Sequence, residues 1–364
     1  MLVHGSGDAG SCRLRGDGWA SPVSTLSIRL SLRLSSHRVC TLGHGCDIYR
    51  VGLRMEDDVG MRRLAAISGW LRMIGCVSAL WAWTCAPSVA GAEPEADPAS
   101  ALLARHADLS EQLEHSPFPQ HLHVESVEGP GASQGEVYAV VDYPIATVSE
   151  AFSSPANWCD ALILHLNVKY CRPASRGGRT VLSTAIGRNV DQPLSSAHRV
   201  EFTFNIAASR PDYVDVELKA RKGPLGTANY RISLEAVGLE SERAFVHLRY
   251  SYTYGFLGRL AMKTYLATSG SDKVGFTVVG DPNDPKPKFI GGVRGAIERN
   301  TMRYYLAIDA YLGALATPAP ARFEESLERW FNATELYPRQ LREIDRDTYF
   351  AMKRSEYLRQ QTAQ

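Results

Sequence analysis

The chain has 364 residues, 45 % apolar and 22 % charged, which suits a globular protein of one large or two small domains and excludes collagen, coiled coil and wholesale disorder. With 40 basic and 39 acidic residues the formal charge is +1, so no basic field is available to hold nucleic acid. Seven cysteines are too few for a scaffold built from disulfides.

Residues 61–92 have the layout of a secretory signal peptide. Met61, Arg62 and Arg63 open it, an apolar run fills 73–86, and Ala90 and Ala92 supply the small residues before a cleavage after Ala92. The apolar run is 14 residues, short of the ~20 needed to span a bilayer; a retained anchor is the competing reading. Residues 1–60 lack lysine and show no sustained periodicity. A folded domain has no place ahead of a signal peptide, so 1–60 is expected to be a disordered upstream extension, with the true start at Met61 or Met55. The expected location is therefore periplasmic or secreted. Residues 93–364 keep 30 basic and 33 acidic residues and two cysteines, Cys159 and Cys171. Twelve apart in an oxidising compartment, these two invite one disulfide, worth roughly 3 kcal/mol by loop entropy; two buried thiols are the alternative.

From 93 the chain reads as a polar linker to 100, then an amphipathic helix over 101–113, the two making an N-terminal segment 93–118. A strand follows at 121–127 and another at 136–142. Tyr143-Pro144 breaks the second, and a helix at 145–152 leads to a short one opened by Ser154-Pro155 and carrying Trp158. Strands are then predicted at 166–171, 179–187, 199–206, 213–220, 228–237 and 244–254, with 275–280 closing the series. Strict alternation, as in Val246, Leu248, Tyr250, Tyr252 and Tyr254 against His247, Arg249, Ser251 and Thr253, points to an antiparallel meander with one wet face. A helical insert at 257–267 precedes the last strand. Steps of three and four through Ile290, Val293, Ile297, Thr301, Tyr304, Ile308, Tyr311 and Leu315 mark a long amphipathic helix over 290–315. Two polar helices, 321–334 and 339–361, read as a solvated C-terminal appendage (317–364).

An antiparallel sheet with one apolar face must cover it, and the large apolar cover in the sequence is 290–315. The fold class expected is α+β, with the sheet wrapped around that helix. This order resembles the helix-grip fold of the START-like (SRPBCC, Bet v 1-like) superfamily. The carrying residues are 136–144 (EVYAVVDYP), 148–152 (VSEAF) and 154–158 (SPANW), and the domain would span 119–316. The resemblance implies a cavity between sheet and long helix for an apolar or amphipathic, lipid-like molecule. Its walls are expected from Phe202, Phe204, Tyr230, Tyr250, Tyr252, Phe276, Tyr304 and Ile308, each of which could equally be plain core. Buried tyrosine hydroxyls need partners, and a polar group of a ligand is one candidate. The loops around 255–271 would gate the cavity.

Chemistry-bearing motifs are sparse. His121, His123 and Glu125 share one strand face, which reads as solvated rather than as a metal site. Ser195, Ser196, His198 and Asp191 lie near one another in sequence without the geometry of a triad, and no nucleophile elbow is present. Gly291, Gly292 and Gly295 suit a hinge into the long helix more than an anion loop. Arg249, Glu201 and Asp215 fall on the wet face. No catalytic pair, metal or cofactor is expected. The partners expected are a lipid-like molecule, a membrane surface, and a protein docking on the C-terminal helices. An enzyme of cyclase or hydratase type on the same fold and an interaction module with a filled core are the two alternatives.

Overall fold

The computed structural model describes residues 97–362 except 268, 269, 271 and 282–284. The expected extension (1–60) and signal peptide (61–92) lie outside the described residues.

The N-terminal helix starts earlier than expected. Asp97 accepts a hydrogen bond from the Ser100 N–H at 3.2 Å and Pro98 occupies the first turn, so α1 (Pro98–Asp108) begins within the end of the predicted linker. After α2 (Ser110–Glu114), β1 (Leu122–Gly129) and β2 (Ala132–Val141) form a hairpin. Next come α3 (Ile145–Phe152) and α4 (Pro155–Leu162), whose Ser154 cap receives the Asn157 N–H at 3.4 Å. Six strands follow: β3 (Val168–Arg176), β4 (Arg179–Ile186), β5 (His198–Ser209), β6 (Tyr213–Lys222), β7 (Thr227–Leu239) and β8 (Arg243–Tyr254). Then come α5 (Phe256–Ala267), the two-residue strands β9 (Val278–Val279) and β10 (Lys288–Phe289), and α6 (Gly292–Gly313), α7 (Ala319–Glu335) and α8 (Arg346–Gln361).

One eight-stranded antiparallel sheet runs β1-β2-β8-β7-β6-β5-β4-β3. Register places Val137, Leu248, Leu234 and Val216 in one row across four strands, all buried. Bulges at Val168/Tyr170, Ile206/Ala208 and Ala228/Arg231 add local bend and twist. The long helix α6 lies on β1, β2 and β8. Its sister helices α3 and α4 cover β6–β8 and β3–β4, so the cover is shared rather than supplied by α6 alone. Cys159 of α4 is joined to Cys171 of β3 by a disulfide, Cα to Cα 5.1 Å.

Three expectations are corrected. Residues 275–280 do not close the main sheet. The buried Glu298 of α6 accepts the N–H groups of Phe276 (2.6 Å) and Thr277 (3.0 Å) and the Thr277 hydroxyl (2.7 Å), which ties this segment to the helix instead. The C-terminal helices are not a solvated appendage. Leu327, Trp330, Tyr349 and Met352 are buried in the main core, so α6 is enclosed on the side away from the sheet as well. The outer sheet face is not uniformly wet. Ala99, Leu102, Leu109 and Leu113 of the N-terminal segment cover Tyr138, Tyr213, Val237 and Phe245 as a second, smaller core.

α6 can reach the sheet because β2 has a glycine beneath it. A Cβ on Gly135 would collide with Thr301 Oγ1 and sit 3.3 Å from the Ile297 carbonyl oxygen. Gly135→Val is expected to cost about 1–3 kcal/mol by overpacking, read as a lower urea midpoint. An unchanged midpoint would mean that α6 does not lie where it is drawn.

Candidate functional site

A cavity of about 510 Å³ opens between β7, β8, α5 and α6. One wall is phenolic. Tyr230, Tyr250 and Tyr252 line it, with ring centroids 5.3 Å apart for Tyr230–Tyr252 and 5.7 Å for Tyr250–Tyr252. Alternation along β8 puts Tyr250 and Tyr252 on the same inner face. Burial pushes all three phenols above their usual range, so they stay protonated and can donate hydrogen bonds. Tyr230 is held by Thr227 Oγ1 at 2.8 Å.

The opposite wall is cationic and amidic. Arg299, Asn300 and Arg303 reach it from α6, Arg188 and Asn189 from the β4–β5 loop, and Asn167 from the turn before β3. Among the described residues one carboxylate, Glu343, lines the cavity. It accepts from Arg303 Nη2 at 2.6 Å and from Asn189 Nδ2 at 2.7 Å. Arg303 also donates to the Leu341 carbonyl at 3.2 Å, and Arg299 to the Val274 carbonyl at 3.3 Å. The guanidinium groups are therefore fixed in place rather than free to swing. The α5 residues Gly258, Ala261 and Met262 and the turn residues Pro224 and Leu225 complete the lining.

Of the eight expected wall residues, Tyr230, Tyr250 and Tyr252 lie on this cavity. Tyr304 stands one layer behind, 5.1 Å from Tyr250 and stacked on His165 at 4.5 Å. Phe202 meets Tyr230 edge-on at 6.4 Å and is core. Ile308 is buried in the main core further along α6. Phe276 packs on Phe118 and Tyr337 at 5.6 and 5.4 Å, away from the cavity. Phe204 borders a separate groove with Thr203, Asn205, Glu217 and Lys219. Alternation indicates which way a side chain points, but not which part of the interior stays open.

Reading the sequence missed the polar wall, because Arg299 and Arg303 look like the solvated stripe of an amphipathic helix until α7 and the 337–345 turn enclose them. It also missed a charge cluster on the outer sheet face. Register aligns Tyr138, His247, Glu235 and Asp215 across four strands. His247 is clamped by Glu136 (Nε2 to Oε2, 2.6 Å) and Glu235 (Nδ1 to Oε2, 2.9 Å). Burial would raise Glu136, but the bonds from His247 and Tyr138 and the charge of Arg249 outweigh it and hold it at about 2. Burial likewise opposes charge on His247, yet its two carboxylate partners raise it above 6.5. Desolvation, with Glu235 and Glu217 nearby, lifts Asp215 to about 6. The support from His247 is complete below pH 6.5 and is lost as pH rises through its folded value. That from Glu136 is present above 4.5 and lost toward 2. The stability gap between the native chain and His247→Gln is therefore expected to be widest between about pH 4.5 and 6.5 and to narrow on either side. Urea titrations at several pH values check this, and a gap independent of pH refutes the clamp.

Among the described residues no group of three or more His, Cys, Asp or Glu is placed to hold a metal. His121 donates from Nδ1 to the Leu113 carbonyl at 2.9 Å, and His123 pairs with Glu125 at 3.1 Å.

No protein-family model matches the chain, and no curated protein does either. Solved structures with similar architecture include norcoclaurine synthase from Thalictrum flavum (14 % identity, 41 % of this chain and 80 % of that one, TM-score 0.27). A conserved protein from Geobacillus kaustophilus (9 %, 50 % and 95 %, 0.31) and human StAR-related lipid transfer protein 5 (10 %, 47 % and 91 %, 0.26) are others. The architecture of this chain is an α+β helix-grip. That statement rests on its own strand order and on the seating of α6 against β1, β2 and β8.

Proposed function

We propose that the chain is an exported carrier or sensor that binds an amphipathic molecule with an acidic head in the cavity between sheet and long helix. The observation that carries the reading is the two-sided lining: three phenols on the sheet, and Arg188, Arg299 and Arg303 opposite. The apolar body would lie against the tyrosine rings, and the anionic head would face the guanidinium groups. A volume of about 510 Å³ falls in the range of ligand sites, ~300–1,000 Å³. Burying ~400 Å² of apolar ligand gives roughly 10 kcal/mol gross, enough for micromolar affinity after the costs of association. Binding is favoured over catalysis because, among the described residues, the one lining carboxylate is engaged by Arg303 and Asn189 and is not poised to act as a general base. Export is part of the proposal and rests on 61–92; the mass of the secreted product, expected to begin at Glu93, tests it separately.

Titration with oleate and with oleyl alcohol, followed by intrinsic fluorescence, tests the reading. Oleate is expected to bind at least tenfold more tightly than the alcohol. Ala261→Trp, which places an indole in the cavity from α5, is expected to remove oleate binding. Equal affinity for the two probes would refute the acidic head. Oleate binding that survives Ala261→Trp would refute the site.

A further inference from the structure

α5 has two apolar faces, and the carrier reading uses only one of them. At about 100° per residue, Gly258, Ala261 and Met262 form the side that lines the cavity. Phe256, Leu257 and Leu260 form the opposite side, and they are 80 %, 68 % and 54 % exposed. Leu225, in the turn between β6 and β7, is 64 % exposed. The two segments abut, since a Cβ on Gly226 would lie 3.4 Å from Leu257 Cβ. Leu225 holds φ at 54°, a left-handed backbone unfavourable for a leucine, and is still mostly exposed. Bulky apolar side chains grouped in this way on a surface mark an interaction site.

The charge around the group indicates what it meets. Arg221 and Lys222 lead into the turn, and Arg259 and Lys263 stand on α5; all four are exposed. Residues 221–226 and 256–267 contain no aspartate or glutamate. An apolar centre flanked within its own two segments only by cations complements a surface that is apolar beneath and anionic at its boundary. Among the described residues no helix is long and apolar enough to cross a membrane, and this tip would rest on one rather than span it.

We propose that the tip formed by the β6–β7 turn and α5 docks on an anionic lipid bilayer. Leu225, Phe256, Leu257 and Leu260 enter the headgroup boundary, and Arg221, Lys222, Arg259 and Lys263 face lipid phosphates. The docking elements are also cavity walls, through Pro224, Leu225, Gly258, Ala261 and Met262, so a docked molecule holds its cavity against the membrane surface. The proposal goes beyond the carrier reading and does not depend on it.

Hydrogen exchange of the full chain, read peptide by peptide, separates docking here from contact made elsewhere in the chain. The probes are vesicles of phosphatidylglycerol with phosphatidylcholine, and vesicles of phosphatidylcholine alone. Exchange in 221–226 and 256–267 is expected to slow with the anionic vesicles and to recover with added salt. Phe256→Ser/Leu257→Ser/Leu260→Ser should abolish this protection. R259E/K263E should weaken vesicle affinity by at least about 25-fold, taking about fivefold per cation lost. All five side chains are solvent-exposed, and circular dichroism confirms that the variants are folded. Absence of protection in these two peptides, or equal protection in the triple variant, overturns the proposal. So does protection that appears without vesicles as protein concentration rises, which would mean that a second copy covers the patch. Oleate binding in the triple variant reports on the cavity separately.

Discussion

Glu356→Gln is expected to lower stability by about 3–5 kcal/mol at pH 7, a large part of the ~5–15 kcal/mol typical of a folded domain. Glu356 is fully buried between two fully buried lysines, with Lys169 Nζ at 2.9 Å and Lys353 Nζ at 2.7 Å. Lys353 also donates to the carbonyls of His165 (2.7 Å) and Val168 (2.9 Å), and Lys169 Nζ lies 3.2 Å from Met352 Sδ. These contacts fasten α8 to β3 and to the turn that carries Asn167 on the cavity wall. Removing the carboxylate leaves two ammonium groups in the interior without a counter-charge, which costs more than the pair itself contributes. Burial already pushes Lys353 down to about 8, against the pull of Glu356. In the variant both lysines shed their protons at lower pH than in the native chain, so the penalty should shrink as pH rises toward about 8, where native Lys353 also loses its proton, and level off above the folded values of both lysines. Urea unfolding of both chains at pH 7 and pH 9 measures it. The triple change Lys169→Met/Lys353→Met/Glu356→Leu should restore most of the loss, since a well-packed apolar trio has no charge to desolvate. A Glu356→Gln chain as stable as the native one at pH 7 would mean that α8 does not bury this cluster.

Much of the frame was legible from period and punctuation. Strands β4 to β8 follow runs in which every second residue is apolar, and α6 follows steps of three and four, because one buried face imposes its spacing on the sequence. Ser154-Pro155 fixed the start of α4 by a cap that needs only local residues. The failures share a different cause. The sequence over 346–361 reads as polar, yet Lys353 and Glu356 are buried there together with Lys169, and composition alone counts such charges as solvated. Residues 275–280 alternate like a strand, but their N–H groups are claimed by Glu298, a partner about twenty residues away that no local pattern reveals. The candidate site divides along the same line. Its tyrosine wall comes from strand alternation and was visible, whereas its arginine wall depends on which helix packs over α6 and was not.

That dependence on α7 makes Trp330 the residue whose loss should be felt most widely. Its indole is 1 % exposed, lies 4.9 Å from the stacked Tyr349 ring, and donates from Nε1 to the Arg303 carbonyl at 3.1 Å. Trp330→Ala is expected to cost about 3–5 kcal/mol through the cavity it leaves, and it removes the indole N–H that the Arg303 carbonyl accepts in addition to its helical bond. For a chain of this size the melting temperature should fall by about 10 °C. The effect should extend to binding, because the helical turn that loses its anchor is the one presenting the Arg303 guanidinium to Glu343 and to the cavity. Trp330→Phe separates the two contributions. It keeps most of the packing and loses only the N–H, so it should cost about 1–2 kcal/mol while leaving oleate affinity within a few-fold of native. If Trp330→Ala unfolds at the native temperature, α7 does not enclose α6. If Trp330→Ala is destabilised but binds oleate as tightly as the native chain, the arginine wall is not part of the binding site.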